Sequence, residues 1–152
     1  MITRPTTDAL IVDCCRELTD AILPGLTDDT LRLRLVMTET VLRNAAVRAA
    51  HEIAWMLAET SALMAYAAEV AVRHASEPLR AAMAAVEGSP RDSLHLADVA
   101  DRYERAGQAF EKALAAAQEA GAADLVAQAR ELLRDRIATE KEVMATYEVV
   151  GR

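Results

Sequence analysis

The stretch HEIAWMLAETSALMAYAAEV, His51 to Val70, decides the fold. It contains neither glycine nor proline, and its larger apolar residues recur every three or four positions. Alanine, the strongest helix former, fills many of the positions between them. No breaker appears on either side of it between Gly25 and Pro78. Thr27 or Asp28 can cap the start, and Asp28 and Asp29 suit the positive end of a helix dipole. One helix over residues 28–75 is therefore expected, about 70 Å long at 1.5 Å per residue. A compact chain of this size should span only roughly 40 Å, from a radius of gyration of about 15 Å. Either the helix breaks near Ala45–Ala50, or it overhangs and a second subunit covers the overhang. The unbroken helix in a homodimer is the expectation.

The apolar positions of this helix have a readable phase. Leu31, Leu35, Thr38, Leu42, Ala45 and Ala49 form a seam. A slip of one residue then selects Ile53, Met56, Thr60, Leu63, Ala67 and Val70. The slip brings the repeat toward 3.6, which predicts ordinary globular packing rather than a long coiled coil. Glu39–Arg43, Arg48–Glu52 and Glu69–Arg73 are spaced i,i+4 and are expected on a solvated face.

The rest of the chain reads the same way. Leu10, Ile11, Cys14, Leu18, Ala21 and Ile22 predict a first helix that starts near Thr6 or Thr7 and stops at Pro24-Gly25. Ser76 and Pro78 open a short helix that ends at Gly88. Ser89 and Pro90 are expected to open the next, with Val99, Tyr103, Ala106, Phe110, Ala113 and Ala117 on its apolar face and Gly121 at its end. YERAGQAFEKAL, around Gly107, faintly resembles a tetratricopeptide hairpin, although no second copy of that period exists. A last helix is expected over 122–147, lined by Leu125, Val126, Ala129, Leu132, Leu133, Ile137, Val143, Met144 and Tyr147. The fold class is all-α: a single helical domain over residues 1–152, an antiparallel bundle of four main helices plus one short one, with a long second helix.

Composition narrows the function. The net charge is −7, from 24 acidic and 17 basic residues, and no Lys/Arg cluster exists. Neutralising nucleic-acid phosphates needs such a cluster, and anionic membranes repel an acidic surface, so neither partner is expected. No stretch has signal-peptide or membrane-span character, so a cytoplasmic protein is expected. Cys14 and Cys15 are adjacent, and read as one buried and one half-exposed thiol rather than a strained disulfide.

Chemical motifs are sparse. None of His51, His74 and His95 lies three residues after a glutamate, so the paired Glu-x-x-His steps of a di-metal bundle are missing. Glu39, Glu52 and Glu59 are the remaining carboxylate candidates. No serine elbow, phosphate loop or dinucleotide fingerprint is present. No cofactor is expected, and catalysis by this chain alone is the less favoured reading. His51, Trp55, Met56 and Glu59 are candidate partner-binding residues, because tryptophan is a favoured interface anchor. A core-rim tryptophan stacked on a histidine is the plainer alternative.

The N-terminal third carries a resemblance. RPTTDALIVDCCRELTDAILPGL, Arg4 to Leu26, precedes a helix that begins TLRLRLVMTETVL. This resembles a family of small helical proteins encoded beside aminoglycoside-phosphotransferase-like kinases and acyl-CoA dehydrogenases. Arg4-Pro5-Thr6, Leu10, Leu18 and Pro24 match its recurrent positions. The chain departs from the family at Thr38-Glu39-Thr40, where Ala-Ala-Asn is usual, and at its C-terminal end. The resemblance implies an accessory subunit of a cytoplasmic hydroxyacyl-CoA kinase, without catalytic residues of its own. A homo-oligomeric helical bundle that binds a small ligand is the alternative.

Without the Glu-x-x-His pairs, the purified protein is expected to hold no stoichiometric iron, manganese or zinc. Elemental analysis that finds one or two metals per chain would overturn this and promote Glu39, Glu52 and Glu59.

Overall fold

A computed structural model describes residues 4–144 of the chain, with side chains described over 4–142. Every regular element among these residues is helical: α1 (Thr7–Glu17), α2 (Asp29–Arg73), α3 (Glu77–Glu87), α4 (Leu96–Glu119) and α5 (Ala123–Met144). The long second helix is unbroken. Two compact units divide the chain. The first holds the residues up to Glu52 and those from Thr139 onward; the second is Ile53–Ala138.

The second unit contains the main core. Leu63, Tyr66, Ala67 and Val70 of α2 meet Leu79 and Val86 of α3, an alanine-faced α4, and Leu125 and Ala129 of α5. The α4 face consists of Ala106, Ala109, Phe110, Ala113, Ala116 and Ala117. Its small side chains let neighbouring backbones come close. Cross-helix contacts give the directions. Glu59 meets Tyr103, and Tyr66 meets Phe110 with ring centroids 5.3 Å apart, so a step along α2 is matched by an equal step along α4 and the two run parallel. Along α5 the order reverses: Glu59, Glu69 and Arg73 meet Arg136, Gln128 and Asp124, which makes α2 and α5 antiparallel. The Arg73 guanidinium bonds Asp124 at 2.6 Å and holds that carboxyl below its ordinary range. This exposed pair adds its small stability at neutral pH and loses it as the pH falls through the lowered Asp124 value.

The helix ends of this unit follow from local chemistry. Ser76 accepts from the Leu79 N–H at 3.4 Å and caps α3. Gly121 sits at φ 66°, where its N–H bonds the Gln118 carbonyl and the next N–H, of Ala122, bonds Ala117. That is the left-handed cap for which glycine carries no Cβ penalty. The start of α4 differs from expectation. Ser89 and Pro90 do not open it. Ser89 is buried and closes α3 instead, its N–H bonding the Val86 carbonyl and its hydroxyl the Ala85 carbonyl. Ser93 then accepts from the His95 N–H and donates to Asp98 at 2.5 Å, so α4 begins only at Leu96. The helix runs unbroken through Gly107, with no hairpin there. Leu133 and Ile137, expected on the inner stripe of α5, are exposed. Val143 and Met144 lie beyond the described side chains, and Tyr147 lies outside the described residues.

The first unit is a helical hairpin. Asp28 caps α2, its Oδ1 accepting from Thr30 and Leu31 N–H groups at 2.8 and 3.0 Å. Arg32 fastens the turn by donating to the Leu23 and Leu26 carbonyls. Between α1 and that turn the helix widens into a π turn over Leu18–Ile22 and then tightens into a 3-10 turn, Leu23–Gly25. The Thr19 hydroxyl donates to the Cys15 and Arg16 carbonyls there, competing with the ordinary ladder just before Pro24, which has no N–H. The packed faces are rotated from those expected. On α1 the buried residue is Cys15, whereas Leu10 and Cys14, and Ile22 in the π turn after it, are exposed. On α2 Glu39 and Ala46 are buried, whereas Leu31, Thr38 and Ala49 are exposed. Glu39 therefore does not sit on a solvated face. Its buried carboxylate pairs with the exposed Arg43 one turn along α2, and its carbonyl lies 3.8 Å from the Cys15 sulfur.

Burial, reinforced by the Glu39 charge, pushes the Cys15 thiol up and keeps it protonated at neutral pH. A disulfide reagent at pH 8 should consume about one thiol per chain rapidly, from Cys14, and the second only on unfolding. Cys14→Ser should remove the rapid phase. Two equally fast thiols would show that α1 does not bury Cys15.

Candidate functional site

The expected partner-binding residues fall in both units. His51 belongs to the first and is exposed; Trp55, Met56 and Glu59 belong to the second and are half-buried. His51 lines a shallow hollow of about 270 Å³ in the hairpin, with Asp8 and Val12 of α1 and Arg43, Ala46, Val47 and Ala50 of α2. A hydrogen bond from the Thr6 hydroxyl is the main cause that lowers the Asp8 carboxyl, with His51 a smaller one. The hollow places an acid, an imidazole and a guanidinium near one another. It contains no serine or cysteine that a base there would activate.

Glu59 has a different role in the structure. One carboxylate oxygen accepts the Tyr103 hydroxyl at 2.8 Å, and the other lies 3.7 Å from Arg136 Nε. The Arg136 guanidinium also stands over the Tyr103 ring, 5.8 Å from its centroid. Acid, phenol and guanidinium thus close a ring that ties α2, α4 and α5 together. Both carboxylate oxygens face a partner on another helix, so the ring ties the register of α2 to that of α4 and α5. Glu52 is likewise paired, with Arg48 at 3.0 Å. Among the described residues no group of three or more His, Cys, Asp or Glu side chains gathers where a metal would need them.

A surface that the expected seam missed stands out in the first unit. Leu33, Met37 and Val41 are 61%, 61% and 58% exposed. They are four residues apart, so they form one row, on the side of α2 away from buried Glu39 and Ala46. Thr30, Arg34 and Arg48 extend the same face. The hairpin beneath the row buries few groups: Cys15, Ala46 and the Glu39 side chain. Spacing alone marks Leu33, Met37 and Val41 as an apolar row; phasing the seam on Leu31 hides it.

No protein-family model, no curated protein and no solved structure matches this chain.

The Glu59 ring has a measurable energy. In urea unfolding, Glu59→Gln and Tyr103→Phe should each lower stability by about 1 kcal/mol, the usual net worth of a partly exposed hydrogen bond to a charged group. The double variant should show a coupling of about 0.5–1 kcal/mol, as contacting residues do. Strict additivity would mean that the two side chains do not meet.

Proposed function

We propose that this chain is a non-catalytic interaction subunit that pairs with a second copy of itself through the first unit. Its further partner in this reading is a hydroxyacyl-CoA kinase of the aminoglycoside-phosphotransferase type. The row Leu33, Met37 and Val41 carries the proposal. A run of three large apolar side chains more than half exposed, on a helix with so small a core beneath it, is a surface that water disfavours. A two-fold pair presents the same row to itself, so one patch suffices on each copy. Burying several hundred Å² of apolar area is worth several kcal/mol at ~25 cal/mol/Å², before the costs of association. The kinase comes from the resemblance of the segment Arg4–Leu26, and the lack of a gathered nucleophile and base in the hairpin hollow agrees with an accessory role. Trp55 and Met56, half-buried, remain the second region proposed for partner contact.

Sedimentation over a concentration series should reveal a reversible dimer. Met37→Glu should weaken it tenfold or more, at least ~1.4 kcal/mol, while leaving the helical circular dichroism unchanged. Trp55→Ala should cost roughly 1–3 kcal/mol of association with the second copy or the kinase if it anchors either contact. A wild type that stays monomeric at high concentration and recovers no phosphotransferase from cell extract would refute the reading.

A further inference from the structure

A cleft of about 340 Å³ opens within the second unit, lined by Leu57, Thr60, Ser61 and Met64 of α2 and by Arg102 of α4. We propose that this cleft binds a small organic carboxylate, held by the Arg102 guanidinium and the Thr60 and Ser61 hydroxyls, with its apolar part against Leu57 and Met64. The inference is independent of the dimer reading.

Arg102 carries the argument. Its Nε is shielded from solvent and has no hydrogen-bond partner among the described residues. Its Nη1 reaches only the Arg91 carbonyl, at 3.5 Å, which is the limit of a hydrogen bond. Other arginines of the same unit are paired with carboxylates: Arg105 with Asp101 at 3.0 Å, Arg80 with Glu77 at 2.7 Å and Arg73 with Asp124 at 2.6 Å. Arg102 makes no salt bridge among the described residues, and its Nε is the one arginine nitrogen there that is both shielded and without a partner. Guanidinium never loses its proton, and shielded N–H donors are nearly always satisfied. Among the described residues the other orphaned buried atom, the Tyr66 hydroxyl, lies in the apolar core, whereas Arg102 borders open volume.

The chemistry of the walls selects the ligand. A planar guanidinium edge matches the two oxygens of a carboxylate, and neighbouring hydroxyls can donate to the same oxygens. Thr60 is buried at the base, and Ser61 is exposed at the rim. Leu57 and Met64 offer nothing to a second charge but suit a short alkyl chain, and methionine adapts to irregular shapes. One cation facing one anion leaves no surplus positive charge for a phosphate dianion, and the acidic chain around it opposes one. The volume suits a ligand of a few carbons rather than a long acyl chain, since it lies at the small end of ligand pockets.

Sodium hexanoate is the probe. Titrated into the full chain by calorimetry and by ¹H–¹⁵N spectra that include the arginine Nε–H, it should saturate at one per chain and move the Arg102 Nε–H signal. Inorganic phosphate and hexan-1-ol should each bind at least tenfold more weakly. Arg102→Lys keeps the charge but loses the fork and should weaken hexanoate tenfold or more; Arg102→Met should abolish binding. Ser61→Ala, at the exposed rim, tests the site without disturbing the core and should weaken binding a few-fold. No saturation by hexanoate, equal binding by phosphate or hexanol, or unaltered binding by folded Arg102→Lys would each overturn the proposal.

Discussion

The alanine face of α4 sets the distances on which the second unit depends. Ala106, Ala109, Ala113, Ala116 and Ala117 leave so little bulk that Leu63, Tyr66, Ala67 and Val70 of α2 reach in beside them. Large residues come mostly from the partners: Tyr66, Leu79 and Leu125 are almost fully buried, while α4 supplies buried Phe110 and, packed against the same core, half-buried Leu114. Because the face is smooth, apolar contact alone specifies register weakly. Polar cross-links supply what it lacks. The Glu59–Tyr103–Arg136 ring and the Arg73–Asp124 pair pin α2 against α4 and α5 at two levels. Their energies are modest, yet each penalises a slipped arrangement by leaving a charge unpaired.

The first unit rests on a different balance. Its hairpin encloses Cys15, Ala46 and the paired Glu39, a polar and small interior for two helices. Much of the apolar side-chain surface there points outward instead: Leu10, Leu31, Leu33, Met37 and Val41 are all about half exposed or more. The chain thus places its bulky residues outward on one unit and inward on the other. That contrast is the observation on which the proposed interaction role rests. In the second unit the Arg102 cleft leaves a shielded guanidinium N–H without a partner beside open volume.

Helix existence was legible in the sequence because it depends on local rules. The absence of breakers between Gly25 and Pro78, the Asp28 and Ser76 caps and the Gly121 stop act within a turn or two of where they stand, and each acts so in the structure. The shifted seam Thr60, Leu63, Ala67 and Val70 and the α4 stripe were also readable, because the bulky residues there have one side to hide on. What failed were choices between near-equal faces. In the hairpin, Cys14 and Cys15 are equally apolar, and on α2 both Leu31 and Leu33 stay exposed while Glu39 and Ala46 are packed, so hydrophobicity alone cannot pick the buried face. At Ser89 local chemistry suggests a cap for α4, but Ser89 is buried at the end of α3, and α4 starts later, after His95, with no side-chain cap.

What the sequence determined by itself was an all-helical chain with one long, uninterrupted second helix. Only the tertiary structure decided the site. Glu59 and Tyr103 are 44 residues apart and Glu69 and Gln128 are 59 apart, and no local pattern announces such pairs. The pairing of Glu39 with Arg43 along one helix follows from their i,i+4 spacing, but whether Glu39 is buried, and which charges meet across helices, as Arg73 and Asp124 do, depends on which helices come together. Pairing between elements is a property of three-dimensional proximity, and the sequence lists those charges without their distances.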